Sequence, residues 1–307
     1  MKKTKFVLYF LIFGIGVFVA ARCYYAITDD FRISNITYEL SYNPDWSVSP
    51  PEDPVLVEDI LGQELRYIDK GAQSYVFGTV DGKYVVKFIK FKHHKVEKYD
   101  KWKLLPFMQH NIDRRIAKHQ RKLNAVFDGY SLAYRKHRDS TGLIALHLNR
   151  TNGIGEPIIV IDKVGIKRKI DRNAVAYIVQ KRATVTKEIV DSAIANDDWD
   201  LVEHTFTQLF DFYIEEFREG LYDRDRSILT NTGFIDGKPV RIDAGKFTEN
   251  SQLKDPQRQY QEFQEILARL QRWVDRNRPD VKQDFHYLID NRLQPYVLSI
   301  TLLEPNF

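Results

Sequence analysis

The chain has 307 residues, 43% hydrophobic and 29% charged, with 17 Tyr and 19 Phe, which excludes wholesale disorder and supplies core material for one large or two small domains. Its only cysteine, Cys23, excludes an intramolecular disulfide and any cysteine-based metal site. Net charge is +4, yet residues 83–138 alone carry +12; such a block suits phosphates, anionic lipid or nucleic acid, or forms a solvated helix face that includes His93, His94 and His110.

Lys2, Lys3 and Lys5 precede an unbroken apolar or small run over residues 6–21. As a helix this run reaches ~24 Å, short of a ~30 Å hydrocarbon core. Extension to Ile27 reaches bilayer length if Arg22 snorkels and Tyr24 and Tyr25 sit at the interface. Residues 1–27 are therefore expected to be a transmembrane anchor or a signal segment. An anchor puts the N-terminus in the cytoplasm and the remaining chain across the membrane. A signal segment would be cut after Ala21 in Val-Ala-Ala, releasing a secreted domain.

Residues 28–54 read as a polar stalk with one candidate strand, followed by a linker containing Pro44, Pro50, Pro51 and Pro54. Strands are expected over 64–69, 72–80 and 84–91, the last two joined by a turn at Asp81-Gly82. Ile112, Ile116, Leu123, Phe127 and Tyr130 then recur at helical spacing, with Arg114, Lys118 and Arg121 on another face. Further strands are expected over 143–148, 158–166 and 175–180. From Thr186 the pattern is helical as far as Gly220, a C-cap. Asp255-Pro256 opens another helix as N-cap and first-turn proline, and Pro279 ends it. Strands first and helices afterwards predict an α+β chain with two lobes, a β-rich one over 55–183 and a short helical one over 184–307. Asn35-Ile-Thr and Asn149-Arg-Thr are sequons wherever the host glycosylates.

Three segments carry chemistry. Gly71-Ala-Gln-Ser-Tyr-Val-Phe77 leads through a hairpin to Val85-Val86-Lys87; Gly220-Leu-Tyr-Asp-Arg-Asp225 follows a long apolar helix; Val240-Arg-Ile-Asp243-Ala-Gly245 runs from a strand into a glycine. In order, spacing and context this resembles the protein-kinase-like superfamily, over roughly residues 60–250. The resemblance implies that Gly71 and Ser74 lie in a loop over the phosphates of ATP and that Lys87 holds those phosphates. It implies that Asp225 accepts or orients the proton of an acceptor hydroxyl, and that Asp243, with Asn231, binds Mg²⁺. The acceptor, protein or small molecule, leaves no mark in the sequence, nor does the oligomeric state.

The chain also departs from the pattern. The loop has one glycine of three, Asp223 stands where His is usual, and Ala244 replaces Phe. Position 230 is Thr, so Asn231 comes one residue late. Only Glu97 or Asp113 is placed to pair with Lys87, and no Ala-Pro-Glu follows Gly245. The tail resembles the reduced lobes of small-molecule, lipopolysaccharide or atypical protein kinases. Two other readings stand beside an active enzyme: a pseudokinase serving as a binding or scaffold module, and a basic domain for anionic lipid or nucleic acid, nucleic acid being the least favoured partner.

Overall fold

The computed structural model describes residues 2–37, 40–91 and 106–303. The fold is mixed α+β, with one seven-stranded sheet and many helices. It divides into two compact units, Met1–Gln120 with Ile144–Gln180, and Arg121–Leu143 with Lys181–Phe307. The division therefore falls within a long helix as well as near residue 180, whereas a single cut at 183 was expected.

The first unit opens with α1 (Lys2–Ile27), whose Tyr9–Ile27 portion has mean hydropathy 1.9 and is long and apolar enough to cross a membrane. Beyond it, Asp29 and Asp30 take positive φ values of 52° and 60° and turn the chain into the core. Phe31 and Ile36 are fully buried, Phe31 lying edge-on to Tyr75 and Phe77 at 5.1 and 5.0 Å. The segment read as a polar stalk thus contributes to the core. Its candidate strand is a single helical turn, α2 (Ile33–Ile36), followed by a bridge from Thr37 to Val175. Both sequon asparagines already use their amides, Asn35 Nδ2 donating to Asp30 O at 2.7 Å and Asn149 Nδ2 to Asn43 O at 2.9 Å.

Asp29 fixes the turn. It accepts from the Tyr67 hydroxyl at 2.9 Å and from Lys163 at 2.8 Å, and pairs with Lys70 at 2.7 Å. Lys163, then Lys70, holds its carboxyl far below the usual carboxylate range. A depressed carboxylate contributes stability that is present above its unfolded pKa of about 3.9 and is lost as pH falls below it. Asp29→Asn is expected to cost about 1–2 kcal/mol at pH 7. It should also flatten the acid limb of stability measured from pH 6 to pH 2, and an unchanged acid limb would contradict this role.

Asp53 caps α3 (Pro54–Gly62) by accepting from Leu56 N at 2.9 Å, and the helix buries Val57, Ile60 and Leu61. The prolines read as a linker therefore run into a packed helix. Next come β1 (Leu65–Lys70), β2 (Ser74–Gly78) and β3 (Tyr84–Ile89), and further along the chain β4 (Leu143–His147), β5 (Ile158–Ile161), β6 (Lys167–Ile170) and β7 (Tyr177–Lys181). Their order in the sheet is β4-β7-β3-β2-β1-β5-β6. Antiparallel pairs join β1–β2, β2–β3 and β5–β6, while β1 runs parallel to β5. The run expected as one strand over 158–166 turns back on itself, because Asp162 caps the amides of Val164 and Ile166 and Gly165 takes φ 84°.

The long helix is α4 (Pro106–Lys136). Ile112, Leu123, Phe127 and Tyr130 are buried and Ile116 is half-buried, while Arg114, Lys118, Arg121 and Lys122 are exposed, close to the two faces that 3.6-residue spacing predicts. Its C-terminal half belongs to the second unit, as do α5 (Arg138–Thr141), β8 (Thr184–Val185), α6 (Thr186–Ala195) and α7 (Trp199–Arg218). Then follow β9 (Leu221–Asp223), α8 (Ile228–Asn231), β10 (Thr232–Ile235), β11 (Lys238–Arg241), β12 (Phe247–Glu249), α9 (Pro256–Asn277) and α10 (Lys282–Leu288). Strands β11, β10 and β8 form one small sheet and β12 with β9 another. Asp236 and Gly237 take φ 50° and 76° between paired Ile235 and Lys238, as a two-residue hairpin turn requires. Helices α7 and α9 pack through edge-to-face contacts of Phe263 with Phe210 and Phe217, each at 5.3 Å.

Candidate functional site

The second unit assembles its candidate residues around one buried ion pair. Arg241, at the end of β11, is fully buried. Its Nε donates to Glu216 Oε1 at 3.0 Å and its Nη2 to Glu216 Oε2, while Nη1 donates to Asp223 Oδ2 at 3.0 Å. Rings of Tyr213 and Phe247 flank the guanidinium at 4.9 and 5.2 Å. Burial raises the Glu216 carboxyl against the pull of Arg241, and the surrounding acids keep Arg241 charged.

Asp223 is the hub of this network. Besides Arg241 it accepts from Asn231 Nδ2 at 3.1 Å on Oδ2 and from the Asp225 amide at 2.9 Å on Oδ1. Asp223 thus ties two candidate residues to the buried pair. Asn231, also buried, closes α8, and its carbonyl accepts from the Ile242 and Asp243 amides at 2.8 and 3.2 Å. Although one position late in sequence, Asn231 is joined to Asp243 by its backbone and to Asp223 by its side chain.

Asp243 is half-buried at the exit of β11. Its Oδ1 accepts from Gly245 N at 2.9 Å and from the Tyr130 hydroxyl at 3.2 Å. No hydrogen bond to Oδ2 is formed among the described residues. Tyr130 is buried in α4, and burial followed by the Asp243 charge raises its phenol well above the usual range, so it stays a donor. Preceding it, Gly129 lets the helix backbone approach the Asp243-Ala-Gly turn: a Cβ there would lie 2.3 Å from Ala244 O. Sequence reading missed Gly129, took Asp223 only as a departure from the motif, and counted Tyr130 only as a core position.

Asp225 is more open, its side chain 38% exposed and paired with Lys246 at 2.9 Å. Arg269 donates to its carbonyl at 2.6 Å, and Arg226, at φ 50°, grips Glu262 through two bonds of 2.6 and 3.0 Å. The loop is therefore anchored to α9 on one side and to Asp223 on the other. Among the described residues no group of three or more His, Cys, Asp or Glu is placed to hold a metal ion. A cation at Asp243 would complete its shell with phosphate oxygens and water, as Mg²⁺ does.

In the first unit, Lys87 is buried on β3, paired in register with Val76 of β2. Gly71 and Ser74 close the turn between β1 and β2, the Gly71 amide donating to Ser74 O at 3.0 Å, while Lys90 Nζ donates to Gly71 O at 2.5 Å. The Gly71 amide is thus engaged within the turn. Glu97, His93 and His94 lie outside the described residues; Asp113 and His110 are exposed on α4.

No family model matches the chain, and no curated protein matches it. Among solved structures, the complex of Rv3197 with erythromycin from Mycobacterium tuberculosis is similar at 14% identity and a TM-score of 0.30, over 66% of this chain. The chain spans about half of that protein, 53% of its length. So loose an overlap assigns neither fold family nor function, and the kinase resemblance rests on the motifs themselves.

Proposed function

We propose that the chain is a membrane-anchored, kinase-like phosphotransferase that moves the γ-phosphate of ATP to a hydroxyl of a protein or small-molecule acceptor. The observation that carries the reading is the buried Asp223–Arg241 frame, which joins Asp225, Asn231 and Asp243 in one unit. Asp243 would hold Mg²⁺ through Oδ2, which takes no hydrogen bond among the described residues, with Asn231 beside it, and the ion would neutralise charge on the phosphates. Asp225, exposed and fixed at its backbone, would take the acceptor's proton. Lys87 would neutralise phosphate oxygens, and Ser74 would contribute its hydroxyl at the Gly71 turn. In the anchored topology the N-terminus is cytoplasmic and the domain lies on the far side, or is secreted after a cut behind Ala21.

One observation favours a second reading. The Gly71 amide is already engaged, so the loop grips phosphate less well, as in a pseudokinase that binds without turnover. Turnover of ATP by the full chain in detergent, with Mg²⁺, separates the two. The enzyme reading predicts measurable phosphate release or transfer that Asp225→Asn lowers about 10²–10⁴-fold, with unchanged melting. Absence of turnover in a well-folded chain that still binds nucleotide would leave the pseudokinase.

A further inference from the structure

Where α1 leaves its apolar span, a concave surface of about 690 Å³ opens between the helix and the segment that follows it. Val17, Ala20 and Ala21 of the helix and buried Phe31 form its apolar wall, and Arg32 and Arg168 stand at its polar end. Arg32 stacks over the Tyr25 ring at 3.7 Å and gives Nη2 to Asp30 at 3.0 Å. Its Nε is buried and has no acceptor among the described residues. Arg168 gives Nε to the fully buried Asp162 at 2.8 Å and Nη2 to the Tyr24 hydroxyl at 3.0 Å. The two guanidiniums are thus held by Asp30 and Asp162 at the end of the helix where lipid headgroups lie, their side chains still 40% and 25% exposed.

We infer that this surface binds an anionic phospholipid of the surrounding leaflet, its phosphate accepting from Arg32 and Arg168 and one acyl chain lying along Val17 and Ala20. Each arginine is only partly covered, and a phosphate accepts strong charge-assisted hydrogen bonds from two guanidiniums set side by side. The lipid source follows from continuity: the apolar wall is part of the exposed Tyr9–Ile27 surface that a bilayer would cover, and the alanines leave room for a chain. The site rests on α1 lying in a membrane and does not depend on nucleotide chemistry.

The test is native mass spectrometry of the full chain in detergent, titrated separately with phosphatidylglycerol, with diacylglycerol of the same chains and with glycerol phosphate. Phosphatidylglycerol is expected to bind at least about tenfold more tightly than either fragment, because only it satisfies both ends of the surface. Arg32→Gln should weaken that binding about tenfold, the scale of one lost charged hydrogen bond. Arg66→Gln, an exposed arginine of the same unit, should leave it unchanged. Ala20→Trp, which fills the acyl path and touches neither arginine, should also weaken it, and decides the matter if Arg32→Gln melts early. Equal binding of diacylglycerol, equal binding of glycerol phosphate, or full binding by both site variants would overturn the proposal.

Discussion

Replacing Arg241 by leucine is expected to lower the melting temperature of the second unit by about 10 °C, the equivalent of ~3–5 kcal/mol. The change leaves Glu216 and Asp223, both buried, facing each other without a cation. Neither carboxylate can reach water without opening the packing of Tyr213 and Phe247 around the site. Adding Glu216→Gln should recover part of the loss, since it removes one of the stranded charges. Circular dichroism melts of the full chain in detergent measure this. A loss below about 1 kcal/mol would mean that the pair is not the frame of this unit.

Gly129→Ala is expected to destabilise by about 1–3 kcal/mol, although alanine in a helix ordinarily gains about 1 kcal/mol over glycine. The reversal of sign is the point of the experiment. The added methyl would sit 2.3 Å from Ala244 O and 3.2 Å from Phe247 N, and both are backbone atoms that move only with the Asp243 turn. Gly62→Ala, where nothing lies within 4 Å, is the control and should be neutral or mildly stabilising. If Gly129→Ala behaved like Gly62→Ala, the close approach of α4 to the turn would be wrong.

Legibility in the sequence followed the strength of the local signal. Asp255-Pro256 announced α9, and Asp255 does cap it by accepting from Arg258 N at 3.0 Å. The same pair at Asp53-Pro54 caps α3 but went unread, because three further prolines made the segment look like a linker. Phe31, Ile33, Ile36 and Leu40 are scattered through a polar stretch with no sustained period, and the burial of Phe31 and Ile36 depends on the turn that Asp29 fixes from distant strands. In the site, Asp225, Asn231 and Asp243 were visible as motifs. The hub was not: Asp223 read as a departure from histidine, and only the buried Arg241 explains why a carboxylate stands there. Gly129 left no signal either, since a lone glycine within a helical pattern reads as a cost until the backbone facing it is known.

Asp243 is proposed to serve a metal-bound nucleotide. The most direct measurement is the melting temperature of the full chain in detergent with ATP and Mg²⁺, with ATP and EDTA, and without ligand, for wild type and Asp243→Ala. Ligand at about a hundredfold its Kd adds ~2.7 kcal/mol, so a rise of roughly 5 °C is expected for wild type with ATP and Mg²⁺. EDTA or Asp243→Ala should abolish that rise. A well-folded wild type whose melting is indifferent to nucleotide and metal together would rule out a metal-bound nucleotide at Asp243.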